Sequence, residues 1–277
     1  MQIAEPVSST WKASLDLGFT AEAGRSVLSS RRHDGPLVVQ KPLYPEGEGV
    51  CHAIIVHPPG GIAGGDALSL TVEVGEGASA LLTTPGAAKW YRSAGPLATQ
   101  DLRFRVRGRL EWLPQETIVF DGAHAALATT IDLAPGATFL GWDLVCLGRR
   151  GSGERFTRGR FAFDTRLRRD GALLWMERGA LEGGSRLLAS PAGLGGRSVY
   201  GTLVLAADAI APDWVAACRA IAPEEGEGAV TRLPGVLLAR YLGESGECAR
   251  DYFRRLWHSL RPAVAGREAC DPRIWAT

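Results

Sequence analysis

No C-x-x-C pair, no H-E-x-x-H and no G-x-S-x-G occurs in the 277 residues, so the usual signatures of a structural zinc site, a metallopeptidase and an α/β-hydrolase nucleophile are missing. The five cysteines, Cys51, Cys146, Cys218, Cys248 and Cys270, are odd in number and far apart, which argues against a disulfide framework and suits a reducing compartment. No apolar run reaches the roughly 18 residues of a membrane span, and no basic segment followed by an apolar core opens the chain. A soluble, unsecreted, cytoplasmic protein is expected. Lysine is scarce: Lys12, Lys41 and Lys89 are the full set, and the formal net charge is only +1. Such a balance supplies no global field to gather nucleic acid or an anionic membrane, so neither is an expected partner.

Glycine is what the chain has in excess, with 35 residues, which points to many tight turns and positions with positive φ. Apolar residues at 45% and charged residues at 22% are ordinary for a folded domain. The length suits one all-β domain over residues 1–277. In residues 66–74, Leu68, Leu70, Val72 and Val74 alternate with Ser69, Thr71 and Glu73, the period of a half-buried strand. A turn at Gly75, Glu76 and Gly77 precedes another apolar run over 79–84, which predicts a hairpin. Residues 101–107 alternate again. Further hairpins are predicted between 130–133 and 138–147 and around Asp170 and Gly171. No repeat of fixed period supports a propeller or regular solenoid, and an irregular stack of β layers stays open. Helical spacing is confined to the last third, at 212–221 and 249–260, giving two helices.

The Gly-rich segment 57–66, HPPGGIAGGD, leads into an alternating strand and holds no lysine, so it is not a phosphate-binding loop. GLGGRS at 193–198 comes within one residue of the dinucleotide fingerprint, but a strand follows it. Cys51 and His52 fall on opposite faces of a strand and do not readily ligate one ion. His57, ahead of two prolines, suits a bond to a turn carbonyl equally well. Asp66, Glu116, Asp121, Asp143, Glu154 and Glu177 lie beside apolar or Gly-rich sequence and are candidates for oxygen ligation or acid–base work. Each also has a structural reading: Asx turns for Asp66 and Asp121, and a pair with Arg178 for Glu177. The arginine-rich stretch 149–169 reads as a solvated face or a surface for an acidic protein, with Phe161 and Phe163 turned to the core.

Three long motifs occur in order: HPPGGIAGGD at 57–66, TTPGAAKWYRS at 83–93 and WLPQETIVFDGA at 112–123. With GWD at 141–143, LGRRGSGERF at 147–156, the WMERG segment around Glu177 and PRIWAT at 272–277, they resemble the UreD (UreH) family of urease accessory proteins over nearly the whole chain. The resemblance implies a mainly β protein of stacked, β-helix-like layers with about two C-terminal helices. It implies no enzyme but a scaffold that binds the urease structural subunits and recruits the UreF and UreG accessory proteins for GTP-dependent nickel insertion. It also implies an internal passage for nickel, which is handled transiently; no tightly bound cofactor is expected. Weak oxygen donors suit conduction, and on that ground Asp66, Thr84, Asp143 and Glu177 are expected to line the passage. Lys89, Trp90, Tyr91 and Arg92 have the composition of an interface hot spot or of a loop with inward-packed aromatics. The competing reading is a β-structured, carbohydrate-active enzyme using two of these carboxylates as acid and base.

Overall fold

The computed structural model describes residues 10–276; the first nine residues of the expected domain and Thr277 of the closing motif lie outside them. In chain order the first strands are β1 (Lys12–Glu22), β2 (Arg25–Asp34), β3 (Val38–Val39), β4 (Cys51–Val56), β5 (Ala67–Val74) and β6 (Ser79–Thr83). Then come β7 (Ala88–Trp90), β8 (Ala98–Val106), β9 (Arg109–Leu113), β10 (Thr117–Val119), β11 (His124–Leu133) and β12 (Thr138–Leu147). β13 (Arg160–Arg169), β14 (Ala172–Glu182), the single-turn α1 (Arg186–Ala189) and β15 (Val199–Ala206) follow. The chain continues through α2 (Pro212–Arg219), β16 (Glu227–Leu233), β17 (Val236–Gly243) and α3 (Gly246–Ala265).

Two sheets stack face to face. One has the order β14-β13-β11-β8-β5-β1-β2 and the other β16-β17-β15-β12-β9-β6-β4-β3, with β7 and β10 joined to the second. Between β4 and β13 the chain passes repeatedly from sheet to sheet, and successive visits pair in parallel: Ala67 opposite Thr99, Ala98 opposite Ala125, His124 opposite Arg160. This is the winding of a β-helix, as the family resemblance implies. It corrects two predicted hairpins, because 66–74 and 79–84 lie in different sheets, as do β11 and β12. The turns between them are corners. A Cβ at Gly108 would lie 2.2 Å from the Ala78 carbonyl oxygen and 2.5 Å from that of Gly75, so corners stacked this closely need glycine. The hairpin at Asp170 and Gly171 is real, joining β13 to β14 antiparallel.

The alternation of β5, β8, β11 and β13 sends Leu70, Leu102, Phe104, Leu127, Ile131 and Phe161 into the space between the sheets. The second sheet is apolar on both faces, so it needs a second cover. α3 supplies it. Tyr252, Phe253, Leu256, Trp257 and Leu260 recur at helical spacing and pack on Leu81, Leu113, Leu140, Leu203 and Leu237, each such burial being worth roughly 1.5–3 kcal/mol. The helix is longer than the predicted 249–260: Ser245 caps its N-terminus by accepting from the Cys248 N–H at 3.2 Å, and it runs past Pro262 to a left-handed Gly266.

Arg261, 0% exposed, ties this helix to the body. Its guanidinium donates to Glu46 Oε1 at 2.6 Å and to Glu111 Oε1 and Oε2 at 3.0 Å, while Trp257 Nε1 donates to Glu111 at 2.6 Å. His52 Nε2 meets Glu46 Oε1 at 2.6 Å, whereas Cys51, its neighbour, points into the intersheet core; the opposite-face expectation for this pair holds.

Candidate conduit between the sheets

The ladder of the second sheet is interrupted at one place. β9 stops at Leu113 and β10 resumes at Thr117; β6 stops at Thr83 and β7 resumes at Ala88. Pro114 and Pro85 fall in the two gaps, and neither has an N–H to offer a ladder. β12 pairs with β9 only as far as Gly141 and with β10 only from Val145. Trp142, Asp143 and Leu144 therefore have no strand partner on that side. Side chains close part of the gap: Trp142 Nε1 donates to the Pro114 carbonyl at 2.8 Å, and Thr84 Oγ1 accepts from the Gln115 N–H at 3.0 Å.

A cavity of about 270 Å³ opens at this interruption. Its walls include His57, Thr84, Lys89, Gln100, Gln115 and Asp143, and exposed Gly60, Pro85 and Gly86 lie at its rim. Trp112, Leu127 and Asp143 also line a second, central cavity of about 40 Å³, enough for a few water molecules. There Asp143 and Thr202 from the second sheet meet Thr129, Thr165 and Glu177 from the first, with Tyr200 beside them. Phe163, Glu177 and Tyr200 line in turn a third cavity of about 420 Å³, which reaches the surface at Glu227, Gly228 and Ala229. Three cavities thus follow one another between the sheets, each sharing walls with the next.

The central one places polar groups within an otherwise apolar core. Burial, with the neighbouring charge of Glu177, pushes the Asp143 carboxyl up to about 6. The Tyr200 phenol is raised well above its ordinary value by burial and by the two carboxylates, and its hydroxyl has no protein partner, nor does Thr129 Oγ1. Glu177 pairs with Arg240, not with Arg178, which lies 3.6 Å from Asp164 instead. Thr202 Oγ1 donates to Glu177 Oε2 at 3.3 Å, and Arg240 Nη1 donates to Thr202 Oγ1 at 3.1 Å.

Asp143 and Glu177 therefore come together, and Thr84 lies on the wall of the first cavity. Asp66 does not join them. It is 4% exposed and accepts the Trp11 and Ala63 N–H groups, each at 2.8 Å, so it pins the Gly-rich segment to the start of β1. Asp121 is likewise a backbone clasp. Burial alone would raise its carboxyl, but the N–H groups of Thr157 and Arg158 and their side chains hold it down at about 2. Lys89 lines the first cavity; Trp90 is 1% exposed against Phe161; Tyr91 is partly exposed, edge-on to Phe120; Arg92 reaches the Asp121 carbonyl at 3.4 Å. Of the arginine-rich stretch, Arg149, Arg150, Arg158, Arg160, Arg166, Arg168 and Arg169 all have carboxylate partners in this chain, a pattern of internal neutralisation. Among the described residues no three His, Cys, Asp or Glu side chains cluster to hold a metal ion, and no helix is long and apolar enough to cross a membrane.

Comparison with known proteins gives this architecture a family. The model described as UreD urease accessory protein matches residues 12–276. A urease accessory protein UreD of Azoarcus sp. (strain BH72) is 56% identical over 269 residues, covering 96% of this chain and 94% of its own. One from Dechloromonas aromatica (strain RCB) is 52% identical over 288 residues, covering 100% and 99%. One from Pseudomonas aeruginosa is 51% identical over 269 residues, covering 96% and 95%. The chain belongs to the UreD family of urease accessory proteins.

Proposed function

We propose that this protein is a non-catalytic, cytoplasmic scaffold that binds apo-urease, recruits UreF- and UreG-type partners, and carries nickel to the urease site through the three cavities between its sheets. The observation that carries the proposal is the Asp143 and Glu177 pair in the central cavity, with hydroxyl groups from Thr129, Thr165, Thr202 and Tyr200 around it. The central cavity offers oxygen donors without imidazole or thiolate, and such donors hold a borderline divalent ion loosely, which favours passage over storage. A carbohydrate-active site built on this pair would need a sugar ring between its two carboxylates, and the one cavity that Asp143 and Glu177 share, about 40 Å³, takes only a few waters. In this role Asp143, Glu177 and Thr84 line the route, and Asp66 holds its entrance loop in shape.

The test is capture of the tagged chain from cells expressing the urease structural subunits with and without the other accessory proteins. Co-purification of apo-urease and a UreF-type protein, with urease activation lost when this chain is deleted, is the expected result. Full activation without it, or no association, overturns the proposal.

A further inference from the structure

Glu177 is the carboxylate shared by the central and outer cavities, and it is already occupied. It stands on β14, whose inward register also carries Trp175, and it accepts from the guanidinium of Arg240 across the intersheet space. Arg240 holds an inward position on β17 between Leu238 and Leu242, paired in register with Thr202 of β15. Its Nη1 binds both Glu177 and the Thr202 hydroxyl, so it is fixed at two points where the cavities adjoin. A metal ion moving outward finds its carboxylate neutralised and a fixed positive charge beside it. That arrangement repels a divalent cation.

The arginine is also placed to let go. Its side chain is 44% exposed at the outer cavity. The other acid lining that cavity, Glu227, is engaged by Arg197 at 3.0 Å.

Resting on the passage reading above, we infer that Arg240 is the gate of the outer end: it takes the cation's place on Glu177, and only withdrawal of its guanidinium toward solvent opens that carboxylate to a metal ion.

The experiment counts bound manganese(II), an ion that prefers oxygen ligands, by the electron-paramagnetic signal of the free ion in titrations of the full chain. The Arg240→Ala variant is expected to gain one site at least about tenfold tighter than anything in the unsubstituted chain. R240K, which keeps the charge, gains none, and R240A combined with Glu177→Gln loses the gained site. Merely weakened packing does not create a metal site, so a folded R240A chain that binds no more tightly than the original overturns the gate. Should R240A not fold, Arg240→Gln serves in its place with the same expectation. Nickel content of urease matured with Glu177→Gln alone reads the passage separately: loss there with no gain in R240A leaves the passage standing and removes the gate.

Discussion

Asp143 on β12 and Glu177 on β14 project from opposite sheets into one cavity, and burial, with the charge of Glu177 added, raises the Asp143 carboxyl to about 6. Two carboxylates facing each other in a β core are an expense in stability. On the proposed passage reading, a cation moving between the sheets is what this pair serves.

That expense has a measurable pH signature. The folded value of Asp143, about 6, lies above its ordinary 3.8, so the folded chain binds the extra proton and stability falls as pH rises from about 4 to about 6. Asp143→Asn is expected to flatten this slope and to stabilise the protein at pH 7 by on the order of 2 kcal/mol. Denaturant unfolding from pH 4 to pH 7 checks it; an N variant with the same slope as the original contradicts it.

Glu46 works in the opposite sense. Burial alone would raise it, but bonds from His52 and Arg261 bring it down from 4.5 to about 2. Its stabilisation is complete above about 4.5 and is lost as pH falls toward 2. Glu46→Gln should lose acid sensitivity in that window and be less stable at pH 7, read in the same unfolding series.

Removal of either partner from the buried pair beneath α3 should be severe. Arg261→Met leaves Glu46 and Glu111 without their shared guanidinium, at a loss of about 3–5 kcal/mol. Guanidinium-chloride midpoints measure it, and the simultaneous replacement of Glu111 by Gln should recover part of the loss.

Asp66 separates structural from conducting carboxylates. Asp66→Ala removes the carboxylate that accepts from the Trp11 and Ala63 N–H groups, a loss of about 1–3 kcal/mol, whereas Glu177→Gln keeps a hydrogen-bonding side chain at the cavity wall. Thermal unfolding should therefore show the larger drop for Asp66→Ala, and nickel transfer the larger drop for Glu177→Gln.

Much of this was legible in the amino acids, and the misses have physical reasons. The alternation of Leu68, Leu70, Val72 and Val74 marks β5 correctly. The turn after it looks like a hairpin because period-two pattern flanks it on both sides, while the parallel partner Thr99 opposite Ala67 is too distant in the chain to register locally. Asp143 and Glu177 stand out as carboxylates beside apolar or Gly-rich sequence, and the family resemblance narrows the choice to them; the register sharpens it, since each occupies an inward position in a row otherwise filled by Phe139, Gly141 and Val145, or by Trp175, Gly179 and Leu181. Arg240, between Leu238 and Leu242, breaks its strand's pattern in the same way and was missed. Asp66 is expected in the conduit as a weak oxygen donor, while its place beside glycine also suggests an Asx turn; the bond from the Ala63 N–H bears out the turn, and the second bond, from Trp11, is too distant in the chain to read locally.

The most direct measurement is the nickel content of urease matured in cells whose own copy of this chain carries Asp143→Asn and Glu177→Gln together, with the captured accessory complex quantified alongside. Conduction past this pair predicts an unchanged yield of complex and a several-fold fall in nickel per active site. Normal nickel content in the presence of the folded double variant would contradict it.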